Sequence, residues 1–235
     1  MSLKDLTIVI PFRAQSKRRK EIFEWILSRY KILFSGSQII IADSDPAKPF
    51  SRSQSRNAGV NSVKTEYVLI ADADTIPFYP FIELGYESLI DGANWVIPYG
   101  KKGYFNLKKP YSDKVLSMSC DSFITPDLFE WDFQLESWAG QILMKTQCFH
   151  DVNGYDERFV GWGYEDNSFQ KAMDTLVGPF TRIESGWTAH IWHHAAEAET
   201  WSQPHIENNR RLHSLYAQYS GNQILMSQLV AGNRG

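Results

Sequence analysis

Asp72-Ala73-Asp74 places two carboxylates at alternate positions directly after the apolar run Val68-Leu69-Ile70-Ala71. Ionised carboxylates that close together repel, and one of them tends to take up a proton. A divalent cation removes that cost and can also bridge the two phosphates of a nucleotide. The plain alternative is a pair of solvated loop aspartates. A second acidic pair, Glu165-Asp166, follows Gly161-Trp162-Gly163-Tyr164. An acidic first turn is ordinary helix-dipole chemistry, which accounts for Glu165 and Asp166 but not for the two glycines around Trp162. Those glycines permit close backbone approach and leave the indole as a free stacking face. His190, His193 and His194 crowd three imidazoles into five residues.

The elements that must position these residues are legible in the first third of the chain. Residues 6–11 are an apolar, β-branched run closed by proline, as expected of a buried strand. Residues 16–33 carry a helical stripe at Ile22, Phe23, Ile26, Leu27 and Tyr30. Residues 38–43 read as a second buried strand ending in Asp43, residues 53–63 as a helix, and residues 66–72 as a third strand. This alternation predicts an α/β fold with a parallel sheet and helical crossovers. Ligands in such sheets bind beyond the carboxyl ends of the strands, so Arg13, Asp43, Asp72 and Asp74 are expected to converge on one crevice. The basic run Lys17-Arg18-Arg19-Lys20 reads as a solvated helix face.

The remainder is less regular. Residues 95–99 suggest a strand and residues 100–111 a mobile loop. A strand over residues 141–148 is expected to lead to a turn at Asn153-Gly154. A helix is expected over residues 165–176, ending near Gly178-Pro179, with two short helices and a frayed end after Pro204.

With 235 residues, the chain fits one domain, read as a nucleotide-binding half (1–100), an acceptor-binding and catalytic half (101–200) and C-terminal helices (201–235). A formal charge of −3 argues against a protein that coats nucleic acid through its phosphates, though not against a nucleic-acid acceptor. Cys120 and Cys148 are too few for a disulfide framework or zinc cluster and suit a reducing compartment. No apolar run approaches a bilayer span, and the start lacks the plan of a signal peptide. The expected location is the cytoplasm, with peripheral attachment at the inner face of a membrane compatible with it.

Gly161-Trp162-Gly163-Tyr164-Glu165-Asp166, preceded by Asn153-Gly154-Tyr155, resembles the acceptor-site signature of the β-1,4-galactosyltransferases. Pro11-Phe12-Arg13 is similar to that family's nucleotide-binding start. Phe50-Ser51-Arg52 with Asn57-Ala58-Gly59, then Asp72-Ala73-Asp74-Thr75-Ile76-Pro77, follow in the family's order. His190-Ile191-Trp192-His193 falls where the family has its last metal ligand. Ser55-Arg56-Asn57-Ala58-Gly59 is also similar to the broader family 2 glycosyltransferases. The chain departs from the pattern at Gln15, where the family has an arginine, at Tyr164 in place of glycine, and at Asn167 in place of a third acid.

The resemblance implies a GT-A, Rossmann-like nucleotide-diphospho-sugar transferase fold with a mixed, mostly parallel sheet flanked by helices. It implies a UDP-sugar donor, Mn²⁺ or Mg²⁺, and a glycan or other hydroxyl acceptor. Asp74 and His193 would hold the metal, with His190 joining only if the chain turns, because residues three apart lie on opposite faces of a strand. A neutral imidazole suits Mn²⁺ beside carboxylates. Pro11, Phe12, Arg13, Asp43, Phe50, Arg52, Arg56, Asn57 and Asp72 would line the nucleotide-sugar pocket. Trp162, Tyr164 and Glu165 would meet the acceptor, and Asp166 would be the general base of an inverting transfer, kept ionised by helix-start amides. Three other readings compete: a retaining transferase on the same fold, an inert glycan-binding module, and a nucleotidyltransferase. The last leaves Gly161-Trp162-Gly163 unexplained, and the chain has no Gly-x-x-x-x-Gly-Lys loop.

Overall fold

The computed structural model describes residues 3–135, 137–161, 163–194 and 203–233. Strand β1 (Leu6–Pro11) is buried along its whole length. Its side chains alternate between two cores, Ile8 and Ile10 facing one and Val9 the other, as a period of two requires. Helix α1 (Lys17–Leu33) follows, its first turn capped by Ser16, whose hydroxyl accepts from the Arg19 amide. Strand β2 (Gln38–Ala42) and helix α2 (Arg52–Asn61) come next, then β3 (Tyr67–Ala71) and helix α3 (Tyr79–Ile90). Strands β4 (Trp95–Ile97) and β5 (Tyr104–Leu107), helix α4 (Lys109–Ser117) and strand β6 (Trp131–Leu135) occupy the middle of the chain. Strand β7 (Gln141–Lys145) leads into helix α5 (Thr146–Asp151), and helix α6 (Glu165–Leu176) precedes the short strands β8 (Thr181–Arg182) and β9 (Thr188–His190). Helices α7 (Gln203–Tyr219) and α8 (Gln223–Val230) end the described chain.

Six strands form a sheet in the order β2-β1-β3-β7-β4-β8. β1 runs parallel to both β2 and β3, β7 is antiparallel to β3 and β4, and β8 is parallel to β4. A second sheet, β6-β5-β9, stands beside it. One core lies under α1 and α3, where Ile22, Ile26, Tyr30, Ile82 and Tyr86 pack on the sheet. The other lies under α5 to α8, around Phe149, Phe169, Met173, Tyr216 and Met226. The predicted β-α-β-α-β start and the mixed, mostly parallel sheet are both present.

Four expectations need correction. The strand at residues 38–42 is not buried but forms the edge of the sheet, and Ile41 is half exposed; an apolar run alone does not separate an edge strand from a central one. Residues 100–111 are not a mobile loop. Tyr104 and Phe105 bury their rings, and the segment pairs with β6 and β9. The strand at residue 141 stops at Lys145, after which the chain turns into α5. Helix α7 is seventeen residues long, not short. Both cysteines are free thiols, and among the described residues no helix is long and apolar enough to cross a membrane.

Gly59 explains part of the Asn57-Ala58-Gly59 run. A Cβ at this position would lie 2.4 Å from Val9 Cγ1 and 2.9 Å from the Cβ of Ala42, so α2 rests on the sheet at a distance only glycine allows. Gly59→Ala is expected to lower unfolding free energy by about 1–3 kcal/mol through overpacking. Denaturant titration checks this, and a variant as stable as the parent would contradict the close packing.

Candidate active site

The Asp72–Asp74 turn is pinned on two sides. The Asp72 amide donates to the Gly140 carbonyl at 2.8 Å, which ties the turn to the start of β7. The Ile76 amide donates to Ala189 and the Ile191 amide to Asp74, each at 2.9 Å, and Thr75 bridges His190 antiparallel. The turn therefore lies alongside the end of β9 and the residues that follow it. The strand stops at His190, and the chain then turns so that His190 and His193 both face Asp74. The turn required for joint ligation is present.

Asp74 Oδ2 lies 3.2 Å from His193 Nε2, and Asp74 Oδ1 lies 3.7 Å from His190 Nε2. One donor atom from each of the three residues falls within 4.8 Å of the others. One carboxylate and two imidazoles form a donor set that fits Mn²⁺, whereas Mg²⁺ favours oxygen ligands alone. Burial pushes the Asp74 carboxyl up, but the charges of His190 and Arg19 and the hydrogen bonds from both histidines outweigh it, holding the group well below the usual carboxylate range. His194 lies outside this set, exposed, with its ring against Trp192.

Sequence reasoning missed Arg19. Its Nη1 sits 2.6 Å from Asp74 Oδ2 and 2.6 Å from His193 Nε2. Arg18, its neighbour, pairs with Asp113 at 2.7 Å. The basic run is thus not a purely solvated face: only Lys17 and Lys20 point fully outward, each beside a glutamate one turn along. The available signal was position. The first turn of the helix after β1 stands at the carboxyl end of the sheet, where ligands bind.

Asp72 faces a different cation. Arg56 is 1 % exposed; it donates from Nη2 to Asp72 Oδ1 at 2.9 Å and from Nη1 to Asp166 Oδ1 at 2.7 Å. Its guanidinium also lies over the Tyr155 ring, 4.6 Å from the centroid. Arg56 therefore joins the turn after β3 to the first turn of α6. Arg52, one turn earlier on α2, pairs with Glu165 at 3.2 Å, and Glu165 also accepts from the Gly163 amide at 3.1 Å.

Asp166, at the start of α6, does not sit in the ordinary carboxylate range. Burial raises its pKa, Arg56 pulls it down, and Glu165 and Asp72 raise it again, with the carboxyl pushed up to about 7. Tyr164 enters α6 in the left-handed conformation, φ 73°, without a side-chain cap. Its ring stacks on His213 of α7 at 4.9 Å between centroids. Trp162 lies outside the described residues.

The other expected nucleotide residues divide by what they touch. Arg13 donates from Nε to both Asp43 oxygens at 3.0 and 2.9 Å and from its remaining nitrogens to the carbonyls of Ser44, Asp45 and Lys48. It organises the loop after β2, with the Phe50 ring 5.8 Å away. Pro11 closes β1, and Phe12 stacks on Phe23 of α1 at 3.8 Å. Buried Asn57 donates to the Tyr155 carbonyl and Glu157 and accepts from the Tyr155 amide at 2.9 Å. It holds α2 against the segment that leads to α6.

The family model described as the N-terminal domain of galactosyltransferase matches residues 122–194. That match takes in Glu165, Asp166, His190 and His193, but neither Asp72 nor Asp74. No curated protein matches the chain. Similar solved structures include the catalytic domain of Drosophila β1,4-galactosyltransferase 7 in complex with xylobiose, 17 % identical, over 87 % of this chain and 79 % of that one, with a TM-score of 0.57. A mutant of the same enzyme with manganese, UDP-Gal and xylobiose is 17 % identical over 80 % and 71 % of the two chains, TM-score 0.53. The mannosyltransferase PcManGT from Pyrobaculum calidifontis, in complex with GDP-Man and Mn²⁺, is 12 % identical over 96 % and 69 %, TM-score 0.54. The chain has the GT-A fold of nucleotide-sugar glycosyltransferases.

Proposed function

We propose that this chain is a metal-dependent glycosyltransferase that moves a hexose or N-acetylhexosamine from a UDP-sugar to a hydroxyl of a glycan acceptor, with inversion at the anomeric carbon. The observation that carries the reading is the Arg56 clasp. It holds Asp72, beside the Asp74–His190–His193 set, and Asp166, at the start of α6, on one guanidinium. A donor-side carboxylate and an acceptor-side carboxylate are thereby fixed to each other. The fly galactosyltransferase of the same fold, solved with manganese, UDP-Gal and xylobiose, supports the assignment by analogy. The archaeal neighbour holds GDP-Man, so the choice of UDP rests on the galactosyltransferase resemblance and not on the fold.

Asp74, His193 and His190 would hold Mn²⁺, and an ion bound there would supply charge stabilisation for the departing diphosphate. Arg13, Asp43 and Phe50 would shape the base end of the nucleotide site, and Asp72, held by Arg56, would face the ribose. Glu165 would orient acceptor hydroxyls, and Tyr164 and Trp162 are assigned to the acceptor by the galactosyltransferase resemblance. The acceptor oxygen attacks the anomeric carbon opposite the diphosphate. The bond from that carbon to the diphosphate oxygen breaks, and the hydroxyl proton passes to Asp166. A carboxylate in that role contributes a factor of about 10² to 10⁴.

Asp166→Asn is therefore expected to lower kcat by about 10²- to 10⁴-fold while Mn²⁺-dependent UDP binding, read by calorimetry, persists. Near-normal turnover would remove Asp166 from the mechanism. The pH profile follows from the same residue. The base must be ionised, and its carboxyl is pushed up to about 7, so kcat/KM should fall as pH drops below about 7 and level off above it. A profile that stays flat down to about pH 5, close to the ordinary carboxylate range, would contradict a buried base.

A further inference from the structure

We propose that Arg19 is a built-in cation of the metal site, which a divalent ion must displace and which then takes the diphosphate. The inference rests on the proposed metal and nucleotide site. Its first ground is position: Arg19 Nη1 lies 2.6 Å from Asp74 Oδ2 and 2.6 Å from His193 Nε2, atoms of two of the three residues that could hold the metal. A divalent cation that takes a lone pair from each of these atoms occupies the gap between them, which the guanidinium nitrogen fills. Two positive groups do not share that gap, so metal binding and the Arg19 contact exclude one another.

The second ground is the commitment of the other arginines near the crevice. Arg13 spends its guanidinium on Asp43 and the carbonyls of the following loop. Arg52 pairs with Glu165, and Arg56 is enclosed between Asp72 and Asp166. Arg19 alone among these four reaches the metal donor atoms. It stands on the first turn of α1 on a long side chain that is 22 % exposed, and it is absent from the residues that form the two cores. Once displaced, it would stand beside the site proposed for the metal and the diphosphate, and a guanidinium binds phosphate oxygens through paired, charge-assisted hydrogen bonds. The same side chain thus opposes the bare metal and favours the metal–nucleotide pair, which makes binding of the two cooperative.

The test is titration of Mn²⁺, followed by electron paramagnetic resonance of the free ion, into the parent, Arg19→Gln and Lys17→Gln. UDP is then titrated calorimetrically at saturating Mn²⁺. Arg19→Gln should bind Mn²⁺ alone about tenfold more tightly, since it loses a charge-assisted competitor, and should bind UDP about tenfold more weakly, since it loses a charge-assisted hydrogen bond. Lys17→Gln removes an exposed charge from the same helical turn and should change neither. Equal Mn²⁺ affinity in the parent and Arg19→Gln, unchanged UDP affinity in Arg19→Gln, or an equal gain in Lys17→Gln would each overturn the inference. Absence of Mn²⁺ binding in every variant would overturn it together with the metal site, whereas Mn²⁺ binding that ignores Arg19 would leave that site standing.

Discussion

Arg56 is a guanidinium enclosed in the protein, and burying such a charge is costly unless carboxylates surround it. Asp72 and Asp166 do so, one from the turn after β3 and one from the first turn of α6, and the Tyr155 ring covers one face. Residues nearly a hundred positions apart are therefore held in one geometry by a single side chain. Removing either partner of a buried pair of this kind typically costs about 3–5 kcal/mol. The clasp also has more negative than positive charge around it, since Glu165 stands close by. Burial, aided by that excess and opposed by Arg56, raises the Asp166 carboxyl to about 7. A carboxyl tuned to that value is far better suited to accepting a proton near neutrality than an exposed one.

The two aspartates of the Asp72-Ala73-Asp74 turn solve their mutual repulsion by facing apart. Asp72 turns to Arg56, while Asp74 turns to Arg19 and the two histidines. In a straight strand residues two apart share a face; the divergence comes from the turn at Ala73-Asp74, closed by the Thr75 amide donating to the Asp72 carbonyl. The bridge to His190 and the hydrogen bond from the Asp72 amide to the Gly140 carbonyl hold that turn. One turn thus serves two environments: an imidazole-rich cluster suited to a cation, and a clasp that leads to the first turn of α6.

Much of this was legible in the sequence. Strand periodicity located β1 and β3, and the rule that ligands gather at the carboxyl ends of parallel strands brought Asp72 and Asp74 to the crevice. The order of the motifs added Asp166, His190 and His193. Pairings across long separations were not legible. Arg56 reads equally well as a nucleotide contact until Asp166 is seen beside it, and Asn57 reads as a ligand residue until its bonds to Tyr155 appear. Arg19 was hidden inside a run of four basic residues, because composition does not say which member of a run points inward. The buried aromatics of β5 were hidden in the same way by the lysines and glycines around them.

The central claim is that the Asp74 cluster and the Arg56 clasp bound one nucleotide-sugar site. A thermal-shift panel of nucleotide sugars, each with and without Mn²⁺, tests it most directly on parent protein and Asp74→Ala. The account predicts that UDP-sugars raise the parent's Tm only when Mn²⁺ is present, and that Asp74→Ala abolishes the shift. Stabilisation without metal, an undiminished shift in Asp74→Ala, or no response to any nucleotide sugar would contradict it.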